Sequence, residues 1–157
     1  MLGKKTQNGK ITEKDILAAL SKVQEPELHN DLLLDTHTFI WWDSDPDRLP
    51  QRVLALCQSS STNLLLSVAS VWEMQIKQQV SKLKLRMPLA DLISGQQETN
   101  SIELLPIQLG HVLALDSLEL HHKDPFDRLL IAQALVEDAI LLSADPIFSQ
   151  YPATVLW

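Results

Sequence analysis

Four carboxylates in this chain, Asp35, Glu73, Asp127 and Asp145, stand where their neighbours are mostly apolar. Asp35 ends LLLD, Glu73 follows NLLLSVASVW, Asp127 opens DRLLIAQA and Asp145 ends ILLSAD. Carboxylates cannot gather in apolar ground without a cation or a shared proton. An oxygen-only donor set suits a hard ion, so Mg2+ or Mn2+ is expected rather than Zn2+, which favours His or Cys. One or two such ions would activate a water and neutralise a phosphodiester during in-line attack. No Ser or Cys nucleophile with a paired His is visible, and no phosphate-cradling glycine loop occurs. His121 and His122 lack the spacing of a helical zinc pair and read as polar surface or substrate contacts.

Each acid also has a plainer reading. Ser70-x-x-Glu73 fits a capping box, Asp35 before Thr36 fits a helix N-cap, and Asp145-Pro146 is a common turn opener. Asp124 followed by Pro125 is the clearest cap, so Asp124 is assigned to the backbone. Asp127 then falls one turn in, on the face of Leu130, Ile131 and Ala134, where solvation poorly explains an acid.

The elements that must hold these acids alternate. Apolar runs at 32–35, 63–67, 102–105 and 139–142 read as strands, with ATVLW as a candidate edge strand. Helices are expected from Thr36 to Trp42, Pro50 to about Gln58, Ser70 to Val80, Pro88 to about Gln97, Gln108 to Leu118, and from Pro125. The alternation implies an α/β fold, a parallel sheet of about four to five strands sandwiched between helices. Ligands of such sheets gather at the carboxyl ends of the strands, where all four acids are expected. Residues 1–31 form an N-terminal extension: a polar, disordered lead to Lys10, then an amphipathic helix from Thr12, ended by Glu25-Pro26. Residues 32–157 form the main domain.

The chain has 157 residues, is 45% hydrophobic and carries a net charge of −7. The extension is balanced, with five Lys and five acids, so the whole acidic excess lies in the main domain. Such a domain is not expected to bind nucleic acid by bulk electrostatics, and a polyanionic substrate would need bound cations to reverse the local field. No long apolar run or signal-peptide pattern occurs, so membrane spanning and export are not expected. The single Cys57 fits a reducing cytoplasm. The basic residues Lys77, Lys82, Lys84 and Arg86 form a patch after the third expected helix.

Taken in order, LLLDTHTFIWW, SVASVWEMQIKQQVSKLKL, LLPI, HHKDPFDRLLIAQA and LLSADPIFSQY resemble PIN-domain proteins, and within them the VapC-type toxins of bacterial toxin–antitoxin systems. The resemblance covers residues 32–157, and HHKDPFDRLLIAQA is its most specific piece. It implies a Mg2+-dependent ribonuclease with a parallel sheet between helices, whose metal-binding acids are Asp35, Glu73, Asp127 and Asp145. Thr36 and Ser70 would be supporting polar groups. An RNA substrate, a cognate antitoxin protein and a homodimer are implied by the same resemblance, with Lys77, Lys82, Lys84, Arg86 and Arg128 as candidate RNA contacts. Residues 11–33 resemble the opening helix of the small domain that begins Mrp-type iron–sulfur carrier proteins, and read as an appendage without its own activity.

Two other classes remain open at this stage. The strand ending LLLDTH suggests a haloacid-dehalogenase-type phosphatase, although that chemistry wants an acid where His37 stands. A non-catalytic interaction module could use the same pocket, with Phe39, Trp41, Trp42 and Trp72 lining an antitoxin or dimer surface.

Overall fold

The computed structural model describes Lys14 and residues 31–157. The expected helix from Thr12 lies outside these residues, apart from Lys14, which is helical and exposed, while Asp31, expected to end the extension, is the first residue of a strand. The elements run β1 (Asp31–Leu34), α1 (Thr36–Ser44), α2 (Gln51–Gln58), β2 (Asn63–Ser67), α3 (Val68–Gln79) and α4 (Leu89–Asn100). There follow β3 (Glu103–Leu105), α5 (Leu109–Ala114), α6 (Pro125–Val136), β4 (Ile140–Leu142) and β5 (Val155–Leu156). Single 3-10 turns occupy Pro46–Arg48, Leu115–Ser117 and Pro146–Gln150.

The five strands form one parallel sheet in the order β3-β2-β1-β4-β5, as the alternation of strands and helices requires. The middle of each central strand is wholly apolar, Leu32–Leu34 in β1 and Leu64–Leu66 in β2, because both faces are covered. Leu32, Leu34, Leu64, Leu66 and Leu142 pack with Phe39 of α1, Val53 of α2, Met74 of α3 and Leu92 of α4. Leu33, Leu65 and Leu141 point the other way, into Leu130, Ile131 and Ala134 of α6 and Phe148. Buried Gln133 ties α6 to the site end of the sheet: it accepts from the Ser67 hydroxyl and donates to the Pro106 carbonyl.

Local chemistry moves several boundaries from those expected. Ser67 caps α3 by accepting from the Ala69 N–H, so the helix begins at Val68 rather than Ser70. Ser70 and Glu73 are then interior helical residues, and the capping-box reading of Glu73 fails. Pro50 and Pro88 precede their helices as caps rather than opening them. The helix expected over 108–118 tightens into a 3-10 turn at Leu115. Asp124 caps α6 with Pro125 in its first turn, as expected.

Leu33 is fully buried between the central strand and α6. Leu33→Ala is expected to lower stability by about 2–5 kcal/mol. A reduced urea midpoint at unchanged slope would register this; an unchanged midpoint would show that α6 is not seated there.

Candidate metal centre

Leu34 aligns with Leu66 on one side and Leu142 on the other, so Asp35, Ser67 and Ser143 form the next row, at the carboxyl end of the sheet. Asp35 is buried. Its Oδ1 accepts the Thr38 N–H at 2.7 Å, which realises the cap reading, and its Oδ2 accepts from the Ser143 hydroxyl. Ser143 Oγ also accepts the Asp145 N–H at 3.1 Å, joining the first strand's acid to the last strand's turn.

Glu73 is buried on the inward face of α3 with Ala69, Ser70 and Met74. The Thr36 hydroxyl lies 3.2 Å from Glu73 Oε1 and 3.0 Å from Ser70 Oγ. Lys77, one turn further along α3, donates to Oε2 at 2.9 Å. Of the two residues expected as supporting groups, Thr36 therefore reaches Glu73 directly and Ser70 is linked to it through Thr36.

Asp127 is the third residue of α6, and Leu130, Ile131 and Ala134 on its face are buried. A carboxylate oxygen from each of Glu73, Asp124 and Asp127 lies within 4.8 Å of the other two. Asp127, Asp145 and His122 offer a second such group. Asp124 thus does more than its assigned capping, in which Oδ1 accepts the N–H groups of Phe126 at 2.8 Å and Asp127 at 3.2 Å. Asp145 accepts the Ile147 N–H with Oδ1, and its Oδ2 lies 3.0 Å from His122 Nε2.

The electrostatic consequence falls on Asp127. Burial, followed by the charge of Asp124, pushes its carboxyl from 3.8 up to about 7; His122 pulls it down, while Glu73 and Asp35 add to the rise. A divalent ion fits this environment, since the neighbouring donors are mainly carboxylate oxygens and the raised carboxyl lacks a sufficient positive partner. Cys57 offers no competing chemistry: its thiol is buried and pushed up to about 12.

The basic residues are unevenly available. Arg86 forms a two-point pair with Asp43, at 2.9 and 2.7 Å. Arg128 donates to the Glu119 and Leu115 carbonyls, bracing the loop before α6. Lys82 and Lys84 are exposed. Beside the acids, exposed Trp72 meets Phe126 edge-to-face at 5.1 Å, each ring one residue ahead of a site carboxylate. Trp41 instead packs with Trp157 and beneath Arg48.

Residues 32–153 match the PIN domain family. The chain belongs to that family. Solved structures share this PIN fold: VapBC2 from Rickettsia felis bound to a DNA fragment from its promoter has a TM-score of 0.62 at 16% identity, covering 80% of this chain and 97% of the other. DNA-bound VapBC from Salmonella typhimurium gives 0.59 at 12%, covering 80% and 96%. VapBC-1 from nontypeable Haemophilus influenzae gives 0.56 at 17%, again covering 80% and 96%. Among curated protein sequences there is no match. Membership in the PIN family sets the phosphatase reading aside. His37, where that reading needs an acid, is exposed and packs near Trp41.

Two site features escaped the sequence. Ser143 carries no pattern beyond its position at a strand end. His122, expected as polar surface or a substrate contact, has its ring nitrogen against both Asp127 and Asp145; its closeness to DPFD is the one available signal.

In the metal-free PIN domain, Asp127 holds a proton between pH 3.8 and about 7 that the unfolded chain has lost. Folded stability therefore falls as pH rises through that window. Asp127→Asn removes this loss. With chelator present, the variant is expected to exceed wild type near pH 8 by roughly 1–2 kcal/mol after solvent screening, the gap closing toward pH 4. Chemical denaturation at both pH values checks this, and a less stable variant at pH 8 would make Asp127 a structural residue.

Proposed function

We propose that this PIN domain is a divalent-metal-dependent endoribonuclease and the toxin of a type II toxin–antitoxin pair. The observation that carries the reading is the half-buried Asp127 carboxyl, which lies with oxygens of Glu73 and Asp124 in one group, all within 4.8 Å of one another, and is pushed up to about 7 by burial and its acidic neighbours. Asp35, Glu73 and Asp127 would hold Mg2+ or Mn2+, with Asp145 as an outer ligand and Asp124 near enough to assist. When bound, the ion would supply positive charge to a phosphodiester and a water of lowered pKa.

The chain's own residues prepare that arrangement. Thr36 and Ser70 restrict Glu73, Lys77 balances its second oxygen, and Ser143 holds Asp35. Exposed Lys82 and Lys84 are the basic residues best suited to meet an RNA backbone. Lys77, Arg86 and Arg128 already have protein partners, so their proposed part in RNA contact is secondary.

An antitoxin partner is supported by the shared fold with VapBC assemblies. A protein partner or second copy is also supported by α5, whose Leu109 and Leu113 are 72% and 64% exposed. The site acids all lie in 32–157, which leaves residues 1–31 as an appendage to the nuclease domain. Among the described residues, no helix is long and apolar enough to cross a membrane.

Purified wild type is expected to cut single-stranded RNA with Mg2+ or Mn2+ and to stop on chelation. Glu73→Gln and Asp127→Asn should each lower the rate by more than about 100-fold, beyond the typical cost of removing a ligand's outer partner. A wild type that binds no divalent ion and cuts no RNA would overturn the reading.

A further inference from the structure

The ring of His122 is held on every side. Its backbone N–H donates to the Tyr151 hydroxyl at 2.8 Å, and its ring lies 5.5 Å from that of Phe148. Its Nδ1 lies 3.2 Å from the Asp124 backbone nitrogen. A backbone N–H can only donate, so Nδ1 is the acceptor and carries no proton. The ring proton is then on Nε2, as the hydrogen bond at the other nitrogen dictates. Nε2 faces Asp127 Oδ2 at 2.9 Å and Asp145 Oδ2 at 3.0 Å.

We infer that His122 is a positioning residue that holds Asp145 beside Asp127, its Nε2 hydrogen-bonding Asp145 Oδ2 while lying 2.9 Å from Asp127 Oδ2, and is not itself a metal ligand. Resting on the metal-site reading proposed above, the inference divides the second ligand group: two carboxylates remain available to an ion, while the imidazole holds them in register. Ligation by Nε2 would require its lone pair, hence a proton moved to Nδ1 and loss of the bond from the Asp124 N–H. That N–H belongs to the residue capping α6, so the exchange would disturb the turn that presents Asp127.

The arrangement also explains how Asp145 reaches the other acids. It caps a 3-10 turn after β4, while Asp127 belongs to a helix before that strand. Ser143 fixes the Asp145 backbone and Asp35 together, and His122 hydrogen-bonds the Asp145 side chain while its Nε2 lies against Asp127. Without the imidazole, Asp145 Oδ2 would lose the donor that holds it beside Asp127, and the side chain could turn toward solvent.

The test uses the full chain and two readouts that do not depend on RNA cleavage. Long-range 1H–15N correlation of the His122 ring should show protonated Nε2 and unprotonated Nδ1, both without metal and with saturating Mg2+. His122→Gln keeps an N–H donor near the same point and should bind Mg2+, by calorimetry, within about threefold of wild type. His122→Leu should weaken Mg2+ binding about 10- to 100-fold, the usual cost of losing an outer partner. If RNA is cleaved, its KM should change much less than kcat in the Leu variant, and the Gln variant should retain most of kcat.

Two results would overturn this role of His122. One is transfer of the ring proton to Nδ1 on metal addition, with Nε2 shifted by ligation. The other is a folded His122→Leu protein that binds Mg2+ like wild type. Should wild type bind Mg2+ but cut no RNA, the nuclease reading fails while the nitrogen shifts and the Mg2+ affinities still decide His122. If the Leu variant does not fold, the ring tautomer in wild type and the Gln affinity carry the decision.

Discussion

Asp127 carries a carboxyl that its surroundings neither solvate well nor neutralise. It projects from the first turn of α6 toward Glu73, with Asp124 and Asp35 adding the same sign of charge. At separations of a few ångströms, repulsion between partly buried charges amounts to several kcal/mol. Among the described contacts of the cluster, Lys77 and His122 are the side chains that can bring positive charge; the other donors are the neutral Thr36 and Ser143 hydroxyls and backbone N–H groups. A divalent ion would relieve that imbalance, and on the proposed reading the rest of the domain is scaffolding for this one debt of charge.

The scaffold works by giving single side chains two tasks. Asp35 and Asp145 each commit Oδ1 to a backbone N–H, as helix caps, and keep Oδ2 for the site. Capping thus fixes the rotamer of a ligand before any ion arrives, the kind of preorganisation a precise centre needs. Glu73 obtains the same restraint differently, from Thr36 on one oxygen and Lys77 on the other. The parallel sheet supplies the common origin, because Leu34, Leu66 and Leu142 end in one row. The core leucines therefore bear on function through register: they set the level from which every acid starts.

The sheet was legible because its central strands carry unbroken apolar runs separated by helical spacing. LLL at 32–34 and at 64–66 are the two central strands, and the row of acids beyond them followed from the rule for parallel sheets. Asp124 as a cap was legible too, since Asp-Pro admits few other local structures. What failed was local competition between caps. Ser67 and Ser70 are both plausible caps less than one turn apart, and sequence could not show that Ser67 would win and bury Glu73. Nor could it show that cap and site readings of Asp35 are compatible, because they use different oxygens of one group. His122 and Ser143 were missed because their partners lie 23 and 108 residues away. Long-range pairing of this kind leaves no periodic trace. Arg86 and Arg128 looked available for RNA by charge alone, yet each is spoken for by a partner in the fold.

The claim that Asp127 awaits a cation is tested most directly by the protons released when Mg2+ or Mn2+ binds. Calorimetric titrations at pH 7 in buffers of different ionisation enthalpy measure that number. A carboxyl held near 7 should release about half a proton per ion at pH 7, more at pH 6 and almost none at pH 8.5. Asp127→Asn should abolish the release. Ion binding with no proton released at any of these pH values, or no ion binding at all, would contradict the account.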